Sequence, residues 1–326
     1  MNHFLDSLRQ MFGGEPKLKL DPEDYSDAAK AMHAAKNEPE QRKARVAAIR
    51  EELAHHKESY RWRKWRWTSI IVINLLFVIS YHLDVQLVEG ALTASRFVGF
   101  HMADVNAALQ VVLAQKQILI NLVIGVVTVA ILWWLVGGRT FCSWACPYHL
   151  VAELAEKLHL KLVDKKIVED HPLHRGTRTV LYVVFAALAF ITGYTVFETV
   201  SPVGILSRAL IYGGGIALVW VAVLLLVEIF YVRRLWCRYI CPIGLTYGFL
   251  GTTSPITVHY ELENCLHEGE CRKVCLVPHV IEITKKNRSH DVKVDIGADC
   301  TRCGMCIEAC PTGALSFRIK GLGDLL

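Results

Sequence analysis

The chain has 326 residues, of which 53% are hydrophobic and 21% are charged, and its formal net charge is +5. Soluble domains contain about 45–50% apolar and about 25% charged residues, so the apolar excess is modest and its position matters more than its size. The basic residues lie beside apolar runs rather than on a separate basic face, and no nucleic-acid-binding motif accompanies them. This distribution excludes nucleic acid as the expected partner.

Composition divides the chain into three parts. Residues 1–64 form a charged N-terminal region that we expect to be cytoplasmic, residues 65–250 hold the apolar runs, and residues 251–326 have the composition of a small soluble domain. The first 30 residues contain no apolar segment of the kind that a cleaved signal peptide has. We therefore expect the first apolar helix to act as an uncleaved anchor.

Four apolar segments of the middle part predict transmembrane helices, because a bilayer core needs about 20 mostly apolar residues. They run over 67–83, 118–136, 179–197 and 210–232. Lysine and arginine are frequent before the first segment, between the second and third, and after the fourth, but scarce in the other two loops. By the positive-inside rule, this bias predicts a multi-pass protein of the bacterial inner membrane with both termini in the cytoplasm. The expected fold is an α-helical membrane bundle of four transmembrane helices.

Two matching C-x-x-x-C-P motifs follow the second and fourth apolar segments. The first contains Cys142 and Cys146, and the second contains Cys237 and Cys241; we refer to these four as the motif cysteines. The placement indicates a duplicated two-helix unit, with copies related by an axis along the membrane normal. Cysteines four apart share one face of a helix, so the motif cysteines could converge on a metal ion or a cluster. They could equally be two redox-active or structural thiol pairs.

The C-terminal part contains the most specific motif. Its four cysteines, followed by proline, have the C-x2-C-x2-C-x3-C-P spacing of bacterial ferredoxins; they are Cys300, Cys303, Cys306 and Cys310. In that pattern the first three cysteines bind one iron–sulfur cluster and the fourth binds the other cluster. Zinc is disfavoured, because four cysteines within eleven residues do not match the usual zinc-ribbon spacing.

A second, imperfect run lies upstream. Cys265, Cys271 and Cys275 occupy its first, third and fourth places, and Glu268 occupies the second. Crossed pairing then predicts two ligand sets. The complete set is Cys275, Cys300, Cys303 and Cys306, and the incomplete set is Cys265, Cys271 and Cys310. For the incomplete set we expect a 4Fe–4S cluster with Glu268, His267 or solvent as its fourth ligand, or a 3Fe–4S cluster; the alternative is an empty site.

Together these motifs resemble those of the NapH-type membrane ferredoxins, the ferredoxin subunits of periplasmic nitrate reductase systems. The similarity covers roughly residues 65–317 and includes the stretches 141–144, 201–203 and 278–280. Related membrane ferredoxins are the C-terminal half of the regulator NosR and the methylamine-utilisation protein MauN. The resemblance implies four transmembrane helices followed by a small α+β ferredoxin domain with two iron–sulfur clusters.

The resemblance also implies that the chain is the quinol-oxidising subunit of a larger electron-transfer complex. Electrons would pass from the quinone pool in the membrane lipid through 4Fe–4S clusters to a partner ferredoxin or cytochrome, and then to a terminal reductase. Quinol oxidation releases protons, and Glu228, an ionisable residue inside the fourth apolar segment, is the expected proton acceptor. The alternative is a membrane ferredoxin that assists the maturation or reduction of a copper enzyme or an oxidase, since thiolates also bind copper(I).

Overall fold

The computed structural model describes residues 3–16, 22–55, 60–84, 88–321 and 323–324. This part of the chain is mainly helical and contains two small antiparallel sheets. The N-terminal region forms α1 (His3–Met11), α2 (Asp27–Asn37) and α3 (Pro39–His55). α2 begins after Ser26, whose hydroxyl accepts the N–H of Ala29 at 3.1 Å and so caps the helix.

The middle part is built from helices of unequal length. It begins with α4 (Arg61–His82) and a sheet of β1 (Val88–Ala91), β2 (Ala94–Phe97) and β3 (Phe100–Ala103). It continues with α5 (Val105–Gln115), α6 (Ile120–Val136), α7 (Thr140–Trp144) and α8 (Pro147–Asp164). Then come α9 (Thr177–Thr192), α10 (Val196–Val200), α11 (Pro202–Tyr212), α12 (Ala217–Phe230), a π-helical turn at Trp236–Ile240 and α13 (Ile243–Gly251). Each C-x-x-x-C-P motif therefore follows an apolar helix, α6 or α12.

The C-terminal part is a small α+β unit. Its strands are β4 (Ile256–Glu261), β5 (Lys293–Asp295), β6 (Leu315–Ile319) and β7 (Gly323–Asp324), paired antiparallel in the order β5-β4-β6-β7. Between β4 and β5 lie α14 (Glu270–Val274) and a 3-10 helix at Pro278–Thr284, and α15 (Met305–Glu308) precedes β6. The hydrophobic core of this unit contains all seven cysteines of the complete and incomplete sets.

The prediction of four transmembrane helices is wrong. Among the residues that the structure describes, no helix is both long enough and apolar enough to cross a membrane. The helices α6, α9 and α12 have 17, 16 and 14 residues. At 1.5 Å per residue they are about 21–26 Å long, against a hydrocarbon core of about 30 Å.

The breaks within the predicted segments have local causes. Gly193, with a φ of 67°, ends α9 before the predicted segment is complete. The glycines at 213–215 separate α11 from α12, because glycine weakens a helix interior. α4 has 22 residues, but four of its first six are basic, so its apolar part is shorter than the helix.

Two glutamates of α8 pair with basic residues that flank the apolar helices. Glu153 lies 2.9 Å from Arg66, at the start of α4. One turn later, Glu156 lies 2.7 Å from Arg233 and also contacts Arg234. Burial opposes the ionisation of Glu156, but the arginines outweigh it and lower the pKa of this carboxyl group. Because removing one partner leaves a buried charge uncompensated, these pairs fix α4 and the second motif against α8.

Candidate metal centres

The four cysteines of the complete set line one small internal cavity. All four are between 6% and 8% exposed, and the other lining residues are mainly apolar, among them Val258, Val280 and Ile281. The N–H of Arg302 points at Cys300 Sγ at a distance of 3.4 Å. Four buried thiols around one enclosed space, with an N–H group directed at a sulfur, fit a 4Fe–4S cluster.

The incomplete set forms a second group beside the first. Cys265, Cys271 and Cys310 are between 5% and 8% exposed and interact electrostatically with one another. Each sulfur has a polar neighbour: the His267 N–H lies 3.4 Å from Cys265 Sγ, and threonine hydroxyls lie 3.6 Å from the other two. Polar contacts of this kind tune the potential of an iron–sulfur cluster.

Both proposed protein donors for a fourth ligand lie at the incomplete set. Glu268 interacts with Cys265 and Cys271, and its Oε2 atom is buried without a hydrogen-bond partner within the described part of the chain. His267 Nδ1 lies 2.8 Å from the Thr284 carbonyl oxygen, which can only accept, so the proton is on Nδ1 and Nε2 keeps its lone pair. Burial lowers the pKa of His267 to about 4, which keeps the ring neutral. The geometry leaves the choice between Glu268 and His267 open.

The motif cysteines, although almost a hundred residues apart in sequence, line a single larger cavity of about 210 Å³. Both motifs use the same backbone hydrogen bond, in which the N–H of the second cysteine donates to the carbonyl five residues earlier. These bonds run from Cys146 to Phe141 at 3.2 Å and from Cys241 to Trp236 at 2.8 Å. Such π-type turns are frequent at functional sites, and here they aim both cysteine pairs into one space.

The larger cavity is lined by more basic than acidic residues, although Asp299 and Glu156 pair with several of the basic ones. Five arginines line it, namely Arg139, Arg175, Arg178, Arg234 and Arg238. Arg139 interacts with Cys142 and Cys241, and Arg234 interacts with Cys237. A cluster bound by four thiolates is an anion overall, so the arginines are suited to compensate its charge.

The spacing of these donors differs from that of a mononuclear site. Within residues 3–324, as far as the structure describes them, no three His, Cys, Asp or Glu side chains converge closely enough to hold one metal ion. The ligands of a cluster bind different iron atoms and need not converge on one point. The three cysteine groups are therefore compatible with clusters.

The first motif is hydrogen-bonded to the loop that carries Cys300. Arg139 donates to the Asp299 carbonyl at 2.8 Å and to the Asp299 carboxylate at 2.6 Å. Ser143 Oγ donates to the Thr301 carbonyl at 2.7 Å. The larger cavity and the ligand loop of the complete set thus share a wall.

The second motif also contacts a ligand loop of the complete set. Arg238 donates to the carbonyl of Leu276, the residue after Cys275, at 3.2 Å. Arg302, only 3% exposed, donates to the Gly251 carbonyl at 2.9 Å and so joins the ligand loop to the end of α13. We did not predict these arginine contacts from the sequence, although Arg238 lies between two motif cysteines, where a charged residue is a signal.

Asp299 is the centre of the charge cluster at this wall. Its carboxylate is 2% exposed and lies 2.6 Å from Arg139, 3.0 Å from Arg178 and 2.8 Å from His279. Burial opposes its ionisation, but the two arginines and His279 hold the pKa of Asp299 well below its usual range. The carboxylate is therefore an anion at neutral pH. Its ion pairs with the two arginines join the middle part to the C-terminal part.

Mild acid is expected to destabilise the protein through His279. Burial lowers the pKa of His279 from 6.5 to about 4, despite the opposing effect of Asp299. Between these values the unfolded chain binds a proton that the folded chain does not, so the free energy of unfolding falls as the pH falls. From pH 6.5 to 5 the loss is about 2 kcal/mol. Thermal unfolding at pH 7 and pH 5 should show a smaller drop for His279→Gln than for the wild type or the exposed control His174→Gln; equal drops would contradict this assignment.

Glu228 lies beside the second motif. The residue is 1% exposed, and its Oε1 accepts the N–H of Trp236 at 3.0 Å. Its Oε2 is buried and has no hydrogen-bond partner among the described residues. Tyr148 and Cys237, which line the larger cavity, both interact with this carboxylate. Glu228 therefore places a buried carboxyl group close to Cys237, one of the motif cysteines.

Known proteins are similar to this chain in sequence. A family model described as a 4Fe-4S binding domain matches residues 118–166 and 214–254, and a second 4Fe-4S binding model matches residues 296–316. The ferredoxin-type protein MauN of Methylorubrum extorquens is 33% identical over 284 residues, which are 85% of this chain and 96% of the relative. This chain belongs to the family of ferredoxin-type proteins that includes MauN and NapH.

The relatives confirm the resemblance expected from the motifs. The ferredoxin-type protein NapH of Escherichia coli is 29% identical, over 76% of this chain and 88% of the relative. No solved structure matches the chain. The first family model spans both C-x-x-x-C-P motifs, and the second spans Cys300–Cys310. As a member of this ferredoxin-type family with 4Fe-4S binding domains, the chain is an iron–sulfur electron-transfer protein.

Proposed function

We propose that this ferredoxin-type protein takes electrons from a quinol and passes them to a partner ferredoxin or cytochrome, which serves a terminal reductase of a periplasmic respiratory system. One observation carries the proposal: three cysteine groups adjoin in series, from the motif cysteines through the complete set to the incomplete set. An iron–sulfur cluster supplies one-electron transfer where it is bound. The surrounding residues hold the ligand loops together, compensate charge and exclude water.

We infer that the motif cysteines hold a further cluster, with two ligands from each repeat. The support is that all four thiols line one arginine-rich cavity, and that a 4Fe-4S family model matches both repeats. Neither repeat offers four ligands alone. The arginines would stabilise the anionic assembly, which is why we favour a cluster over two separate thiol pairs.

The incomplete set differs from its neighbour in donor type, and this difference gives it a distinct role. Its three thiolates need one further donor, for which Glu268 Oε2 and His267 Nε2 have free lone pairs. A changed ligand or a missing iron shifts the potential away from that of a four-thiolate cluster. The clusters at the complete and incomplete sets would therefore differ in reduction potential. This difference sets the direction of electron transfer between them.

Glu228 is suited to take up a proton when quinol is oxidised. The reaction removes two electrons and two protons from quinol, and a neighbouring base that accepts a proton lowers the barrier. The Glu228 carboxylate lies beside Tyr148 and Cys237, two residues that line the larger cavity. The one-electron centres receive the two electrons singly, the Glu228 carboxylate receives one proton, and solvent water receives the other.

This role predicts a specific kinetic defect. Glu228→Gln should slow quinol-dependent reduction by a factor on the order of 10² without loss of iron, because the amide cannot accept the proton. The measurement is the bleaching of visible absorption after anaerobic mixing with a reduced quinol. Reduction by dithionite should be unchanged, and the exposed control Glu169→Gln should behave as the wild type. A Glu228→Gln variant that reacts with quinol at the wild-type rate would exclude the role.

We propose a location at the bacterial inner membrane, with both termini on the cytoplasmic side. Four helices carry exposed apolar side chains, among them Ile71 on α4, Ile131 on α6, Val183 on α9 and Val223 on α12, which are 45–60% exposed. Apolar surface of this extent marks contact with lipid or with another protein. Access to a lipid-soluble quinol would follow from contact with the membrane.

A further inference from the structure

The N-terminal helix α2 packs against the loops around the incomplete set. Ser26 Oγ donates to Asp291 at 2.9 Å, and His33 Nε2 lies 2.8 Å from the Ser289 carbonyl oxygen. Met32 packs on the hydrophobic core that contains the cysteines. These contacts fix the helix, so that its last turn lies over the chain segment leading to Cys265.

Lys36, in that last turn, is bound by three backbone carbonyls. Its ammonium group donates to Leu262, Glu263 and Cys265 at 2.5, 2.9 and 2.7 Å. An ammonium group has three N–H donors, and all three are used here on one short loop. These three hydrogen bonds fix the position of the backbone that carries Cys265.

The Lys36 side chain is partly buried. Burial lowers the pKa of Lys36, and the attraction of Cys265 partly offsets this effect. The partners in the hydrogen bonds are neutral carbonyls, so they orient the ammonium group without cancelling its charge. Glu268 and Cys265 are the negative groups of the incomplete set that attract it.

We propose that Lys36 is a positioning residue that holds the incomplete-set loop and raises the reduction potential of the cluster bound there. The inference rests on the proposed function, since it requires a cluster at the incomplete set. Reduction adds one negative charge, and a cation held close to the cluster stabilises that charge. Transfer of one electron from the cluster at the complete set to the cluster at the incomplete set is therefore favoured. No proton is transferred in this step.

Potentiometric titration of the anaerobic holoprotein, followed by EPR, tests this proposal. Lys36→Gln and Lys36→Met should each lower the equilibrium constant for reduction at the incomplete set on the order of tenfold, which is about 59 mV for one electron. Lys36→Arg should keep the wild-type value. The matched control is Lys30→Gln on the same helix, where Lys30 is 48% exposed and pairs with Asp27 at 3.3 Å. A Cys310→Ser variant identifies which signal belongs to the incomplete set.

The outcomes separate the charge of Lys36 from a purely structural role. Unchanged potentials in both neutral variants would overturn the proposal, and so would loss of the cluster from both, since the residue would then only hold the loop. A shift in the signal of the complete set alone would also overturn it. Wild-type protein without any cluster at the incomplete set would instead contradict the proposed function, before Lys36 is tested.

Discussion

Replacing Cys146 or Cys241 by serine should each lower the iron content by the same amount, up to about four atoms per chain, and replacing both should lower it no further than that limit. The physical reason is that the two residues come from different repeats but line the same cavity, so each variant would leave three ligands for one shared cluster. Iron and acid-labile sulfide, measured on protein purified without oxygen, give the result directly. EPR of the reduced protein should lose the same signal in all three variants.

Cys310→Ser is the matched control for this loss. It belongs to the incomplete set, so its iron loss should add to that of Cys146→Ser rather than coincide with it. Unchanged iron content in Cys146→Ser and Cys241→Ser would show that the motif cysteines are thiol pairs without a cluster. Additive losses in the double motif variant would show two separate sites.

Asp299→Asn should lower the free energy of unfolding by about 3–5 kcal/mol, because it leaves Arg139 and Arg178 buried without their anion. The carboxylate is 2% exposed and has both arginines within 3.0 Å. Denaturant or thermal unfolding of the anaerobic protein measures the loss. The same substitution should loosen the contact between the larger cavity and the complete set, since Asp299 precedes Cys300.

The control for this variant is Asp295→Asn, four residues earlier. The Asp295 side chain is 40% exposed and pairs with His259 at 2.9 Å, so a loss of under about 1 kcal/mol is expected. Equal destabilisation by the two substitutions would contradict a central role for the Asp299 charge cluster.

Spacing in the sequence predicts the ligand groups, because it encodes local chemistry. The crossed pairing joined Cys275 with Cys300, Cys303 and Cys306, and these four residues line one cavity. The repeated C-x-x-x-C-P spacing raised the possibility of convergence, and the structure brings the four thiols into one space. What spacing could not decide was whether the two repeats face each other, which depends on long-range packing.

Helix lengths were predicted less well, since hydropathy counts apolar residues and ignores backbone breaks. The segment 118–136 agrees closely with α6 (Ile120–Val136). The segment 210–232 does not agree with α12 (Ala217–Phe230), because the glycines at 213–215 interrupt it. The composition of the segments did not reveal these interruptions.

Contacts between distant charged residues were not predictable. The flanking basic residues suggested only a membrane orientation, whereas Arg66 and Arg234 are buried in pairs with glutamates of α8. In the sequence, Lys36 is one of many charged residues in the N-terminal region. Its three carbonyl partners lie more than 220 residues later in sequence. Such contacts depend on the tertiary fold and leave no periodic pattern.

Low-temperature EPR of anaerobically purified protein, recorded before and after addition of a reduced quinol, tests the proposed quinol-dependent electron transfer most directly. We expect quinol alone to produce the signals of reduced iron–sulfur clusters, and a 3Fe–4S signal before the addition would identify the incomplete set as lacking one iron. If dithionite reduces the clusters but quinol does not, the electron donor is not a quinol and the proposed function is contradicted.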